Sequence, residues 1–144
     1  LNSCESETNN IIERTGMNKK LFVYGTLKTG YGLNHVLSKS KIIDRGYITK
    51  RKGFEMTGFW FPYIYENKDS VFGVKGELYE VDINDFRNAN RIELGAGYKL
   101  KEIDKDIFGY VYPNPIDTKS ICVIKNTQDN YYEWRNTDDM QNLE

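Results

Sequence analysis

The feature that most constrains this chain is its punctuation. Short apolar or alternating runs rich in tyrosine, phenylalanine and β-branched residues recur along it, the early ones punctuated by glycine and proline. Leu21-Phe22-Val23-Tyr24 is wholly apolar and breaks at Gly25. Such a run suits a buried strand. Strand-like segments follow at Ile42–Thr49, Phe54–Phe59, Tyr63–Glu66, Val74–Val81, Tyr98–Ile103, Ile107–Tyr112, Ile121–Ile124 and Tyr131–Trp134. Gly46, Gly53, Gly58 and Pro62 separate the early ones. The aromatic content, 11 Tyr and 7 Phe, fits half-buried pleated surfaces. Only two helical patterns interrupt them. Asn34 is placed to cap a short one through Leu37, and Asp82 a longer one from Ile83 to about Glu93, closed by Gly95 and Gly97. Strands that outnumber helices, without one-for-one alternation, predict an α+β fold. The sheet should be mostly antiparallel and could curl into a small mixed β-barrel with a few short helices.

One domain, residues 17–135, accounts for these elements in a chain of 144 residues. Residues 1–16 are expected to be a loose leader or an appended remnant, since Met17 reads as a natural start, and 136–144 a polar, frayed tail. No run approaches the ~18 apolar residues of a membrane span, and the leader lacks a signal peptide's apolar stretch. A soluble, cytoplasmic protein is therefore expected. Twenty basic against 21 acidic residues argue against a nucleic-acid binder. The one compact basic run, Lys50-Arg51-Lys52, reads as a solvated strand end. Cys4 and Cys122 make no disulfide framework; Cys122, within an apolar run, should pack as a small hydrophobe.

Elimination narrows the chemistry. His35 is the only histidine, so no two-histidine metal site exists and a serine triad would have to centre on it. No nucleophile elbow, phosphate-loop lysine motif or dinucleotide fingerprint occurs. Glu93 stands out. Ile83, Phe86, Ala89 and Ile92 define the inward stripe of the second helix, and Glu93 falls at its edge. A carboxylate among apolar groups has its charged form disfavoured and its pKa raised toward neutrality. The bland alternative is a helix-end Glu paired with a lysine. The Tyr24-Gly25-Thr26-Leu27 stretch, where a strand stops, can leave consecutive backbone N–H groups free to converge on an anion, and Gly25 permits close approach to the main chain.

The two features meet in a resemblance. Leu21-Phe22-Val23-Tyr24-Gly25-Thr26-Leu27-Lys28, then Gly30, Asn34-His35 and Val36-Leu37, resembles the opening signature of the gamma-glutamylcyclotransferase-like family, most closely its gamma-glutamylamine cyclotransferase branch. Gly76-Glu77-Leu78-Tyr79-Glu80-Val81-Asp82, followed by Glu93 and Tyr98, is similar to the second motif, and Phe61-Pro62-Tyr63 to a segment between them. The resemblance implies a barrel with the Tyr24–Leu27 loop at one mouth and Glu93 beneath it. It implies that the α-amine of a γ-glutamyl group attacks its own γ-carbonyl, releasing 5-oxoproline and a free amine. Glu93 would act as base, then acid. Tyr24, Gly25, Thr26, Leu27 and Tyr98 would bind the small-molecule substrate, with no metal or organic cofactor. Asn90 stands where the family often has Asp; it puts less negative charge near Glu93, so any rise in the Glu93 pKa would depend more on burial. A pocket tyrosine expected from the C-terminal third could be Tyr110, Tyr131 or Tyr132. Phe61, Tyr63 and the Thr29–Leu33 loop are expected to wall the leaving-amine side. A non-catalytic binding module, or another γ-glutamyl amide-cleaving enzyme, stays compatible with the same residues.

Overall fold

The computed structural model describes residues 20–58, 61–113 and 122–135. The expected leader and tail, Cys4, Met17, Phe59 and Ile121 lie outside them. Among the described residues nine strands and two helical segments follow in chain order. They are β1 (Lys20–Val23), a 3₁₀ turn (Asn34–Leu37), β2 (Lys41–Ile48), β3 (Phe54–Gly58), β4 (Pro62–Glu66), β5 (Gly73–Glu80), helix α1 (Ile83–Gly95), β6 (Lys99–Asp104), β7 (Ile107–Val111), β8 (Val123–Asn126) and β9 (Tyr131–Trp134).

β5 is the spine. Its C-terminal half pairs antiparallel with β1, with Val23 opposite Glu77 and Lys20 opposite Glu80. Its first residues, Gly73 and Val74, run parallel to β9. β2 pairs antiparallel along its length, with two register shifts. β7 continues the sheet parallel to β1 and β6 closes that side antiparallel, giving the path β6-β7-β1-β5-β9-β8. β3 and β4 form a separate antiparallel hairpin. It meets the main sheet through backbone hydrogen bonds at two places: Phe54 N–H donates to the Phe72 carbonyl, and Tyr112 N–H to that of Ile64 (2.7 Å).

The expected α+β class and strand-rich order hold, but the expected closed barrel does not. Among the described residues no ladder joins β6 to β8, so the sheet stays open. Side chains cover its faces instead. One cluster is built on Leu21, Val23, Tyr79, Phe86 and Phe108, the other on Phe22, Phe54, Ile64, Val74 and Ile103. Cys122 packs in the second. Alternation explains the division, because Leu21 and Val23 face one cluster and Phe22 and Tyr24 the other. The Lys50–Lys52 run is exposed, and the amides of Lys50 and Arg51 donate to the Asp104 carboxylate.

Two local expectations change. Asp82 does cap α1, accepting from the amides of Asn84 and Asp85. Asn34, by contrast, is the first residue of its turn and makes no side-chain cap. Its amide group reaches the Leu27 carbonyl (2.9 Å) and the Tyr79 hydroxyl (3.0 Å) instead. On α1 the buried residues are Asp85, Phe86, Ala89, Asn90 and Glu93, while Ile92 is 39% exposed. The helix is thus turned by about one position from its apolar pattern. An apolar side chain faces outward, and an amide and two carboxyls, those of Asp85 and Glu93, face inward.

Candidate active site

A pocket opens where β1 ends. Its lining includes Gly25, Thr26 and Leu27 from the loop after β1, Pro62 from β4, and Glu93, Tyr98 and Tyr110 from α1 and the strands beyond it. The pocket is tight: about 20 Å³ is open to the centre of a water-sized sphere, room for about one water molecule. All six residues singled out for the site, Tyr24, Gly25, Thr26, Leu27, Glu93 and Tyr98, border this one space.

The loop is folded back on itself. Lys28 N–H donates to the Gly25 carbonyl (3.0 Å), Leu33 N–H to that of Thr26 (2.9 Å), and the Asn34 side chain to that of Leu27. A trans peptide sets its N–H opposite its C=O. Fixing the Gly25 and Thr26 carbonyls within the loop therefore directs the N–H groups of Thr26 and Leu27 the other way. Among the described residues the amides of Gly25, Thr26 and Leu27 have no acceptor. Gly25 is required by packing, since a Cβ there would lie 2.5 Å from Pro62 Cγ.

Glu93 is 9% exposed and its carboxyl accepts no hydrogen bond among the described residues. Burial alone raises its pKa, to about 7; the lysine pairing of the bland alternative is absent among the described residues. Around it the tyrosines are braced. Tyr24 Oη donates to the Tyr110 carbonyl (2.8 Å) and accepts from Ile64 N–H. Tyr98 Oη donates to the Pro62 carbonyl (2.7 Å), and Tyr110 Oη to Asn90 Oδ1 (2.6 Å). Burial, with Glu93 as a lesser cause, holds the Tyr24 and Tyr98 phenols well above their usual pKa. Both are neutral near pH 7.

Of the three C-terminal tyrosines considered, Tyr110 lines the pocket; Tyr132 instead bonds Glu55 and Tyr131 is half-buried elsewhere. The expected leaving-amine walls are displaced. Phe61 is 51% exposed, Tyr63 stacks behind Tyr98, and Thr29 and Tyr31 line a separate cleft with Arg45 and Arg135. His35 is exposed, its Nδ1 3.0 Å from the Gly32 carbonyl. Asn34 and Glu77 bond the loop, a role that sequence reasoning gave to neither: Asn34 was read as a helix cap and Glu77 only as part of a motif. Their only signal was membership of the two quoted motifs.

An open α+β sheet carrying a strand-end loop opposite a buried helix carboxyl defines a family-level type, and comparison identifies it. The gamma-glutamyl cyclotransferase, AIG2-like family matches residues 21–136, and the chain belongs to that family. It is similar to PH0828 of Pyrococcus horikoshii, a gamma-glutamylcyclotransferase candidate, with 34% identity over 84 residues, 58% of this chain and 67% of the relative. The crystal structure of PH0828 superposes with a TM-score of 0.58 and 29% identity, over 70% of this chain and 83% of that one. An AIG2-like protein of Mus musculus shares the fold at 23% identity and a TM-score of 0.56, over 69% of this chain and 80% of that one. Among the described residues no helix is long and apolar enough to cross a membrane.

Proposed function

We propose that the chain is a cyclotransferase that releases 5-oxoproline and a free amine from a γ-glutamyl amine or γ-glutamyl amino acid. The observation that carries this reading is one pocket bordered by both the loop amides and the Glu93 carboxyl. The attacking amine and the carbonyl belong to one molecule, so the protein chiefly has to hold the folded-back conformer. Loop amides of Gly25, Thr26 and Leu27 would hold the substrate's carboxylate or the oxygen that gains charge as the carbonyl is attacked. Tyr98 and Tyr110 would supply the apolar wall.

Glu93 takes a proton from the α-ammonium. The freed amine forms its bond to the γ-carbon, and the bond from that carbon to the departing nitrogen breaks as Glu93 hands the proton to it. The carboxylate, charged again, takes the second proton from the ring nitrogen, which keeps one hydrogen, and passes it to the released amine, which leaves as an ammonium; both transfers balance on one carboxyl. A pKa of about 7 suits both halves, because a group near the working pH gives and takes with little penalty. The family resemblance and the Asn34-His35 pair favour a γ-glutamylamine as substrate, so ε-(γ-glutamyl)-lysine is the first compound to try.

Incubation with that compound and with γ-glutamyl amino acids, followed by measurement of 5-oxoproline, tests the reading. No product from any of them sinks it. Activity should also carry a pH signature. Glu93 must be unprotonated to act as base, so kcat/KM should rise with pH through a midpoint near 7, the value burial gives the carboxyl. A midpoint near 4.5, that of an ordinary Glu, would show that the acting base is a carboxyl whose pKa burial has not raised.

A further inference from the structure

Behind the loop, away from the pocket residues themselves, lies a second buried carboxylate. Glu77, on β5 opposite Val23, is 8% exposed. One of its oxygens, Oε1, accepts from Thr29 N–H (2.7 Å), from Thr29 Oγ1 (3.1 Å) and from Tyr79 Oη (3.2 Å). Tyr79 in turn accepts from the Asn34 side chain, which also donates to the Leu27 carbonyl. The Thr29 amide belongs to the same peptide unit as the Lys28 carbonyl, which accepts from Tyr31 N–H (3.1 Å). That unit is thus gripped at both ends. Immediately before it, Lys28 N–H grips Gly25 and sets the direction of the Thr26 amide.

We propose that Glu77 is a positioning residue: through Thr29 and Tyr79 it holds the Tyr24–Leu27 loop in the shape that presents its amides to the pocket. Its acceptor is charged where a neutral one would complete the same pattern. Hydrogen bonds to ionised groups are about twice as strong as neutral ones. A short loop that must keep three consecutive amides aimed at an anion gains rigidity from that difference. The inference rests on the cyclotransferase reading for its effect on turnover, but the clamp can be examined without it.

Glu77→Gln keeps the shape and removes the charge. In that variant KM for the γ-glutamyl substrate should rise about tenfold or more, the loss expected when a hydrogen bond to a charged group is weakened. The fall in kcat should be smaller, and the pH midpoint set by Glu93 should not move. Exchange of the Thr29 amide proton with solvent should be faster than in the parent at equal global stability. Thr29→Val, which keeps the amide bond to Glu77 but removes the hydroxyl's bonds to Glu77, Tyr79 and Arg45 at an exposed position, should raise KM in the same direction by less, and serves if Glu77→Gln does not fold. A KM unchanged in both variants, or unaltered Thr29 protection in a folded Glu77→Gln, overturns the proposal. If the parent itself forms no 5-oxoproline, the functional reading fails while the exchange measurement still judges the clamp.

Discussion

Glu93→Gln is expected to lose 5-oxoproline formation by about 10²–10⁴-fold in kcat, the range a single positioned acid–base group supplies. The variant should bind substrate nearly as the parent does, since the loop amides are unaltered and glutamine has the same outline. Folding should be helped, not harmed. The carboxyl's pKa is raised from 4.5 to about 7 by burial, so ionising it costs more in the folded chain than in the unfolded one. Stability from the protonated acid is full below pH 4.5 and is lost as pH rises through 7. Glutamine carries no such loss. The variant should therefore be more stable than the parent at pH 8, by about 3 kcal/mol for a shift of that size, and by little at pH 4. Thermal melts at the two pH values, beside product assays, check both halves. Retained turnover in Glu93→Gln removes Glu93 from the chemistry whatever the melts show.

Gly76→Ala should produce a large structural loss. A Cβ at that position would sit 2.3 Å from the Val23 carbonyl oxygen and 2.9 Å from Phe22 Cζ. The first contact is with backbone, so relief requires β1 to move away from β5. Overpacking of this kind costs about 1–3 kcal/mol and occasionally more. Because the obstacle is main chain, the upper figure is expected, lowering Tm by about 10 °C in a chain of this size. The displaced segment is the one that delivers the loop, so kcat/KM should fall further than the folded fraction does. A melting temperature within a degree or two of the parent's would mean that the two strands are less closely apposed than described.

Much of the strand order was readable because glycine and proline stop the runs close to where the strands end. Gly58 closes β3 and Pro62 opens β4. The barrel was misjudged because closure depends on register and on what covers an edge, neither of which a local pattern records. The turn of α1 was misjudged for a related reason. Periodicity counts apolar residues, whereas burial here follows partners: Asn90 is fully buried because Tyr110 donates to it, and Ile92 is left outside. The site residues were legible through their motifs. The clamp was not, because nothing in the residues beside Glu77 announces that its carboxyl is turned inward on a strand buried on both sides of it. Tyr110 was one of three candidates, and only the β6–β7 register, with Leu100 opposite it, separates it from the others.

The proton affinity of Glu93 is set by dehydration and by no neighbouring ion. Dissolved electrolyte weakens attraction between charges but does little to change how dry a pocket is. Adding sodium chloride from low to molar concentration should consequently leave the midpoint of the activity profile almost where it was. Enzymes that tune a base with an adjacent cation or anion drift under the same treatment.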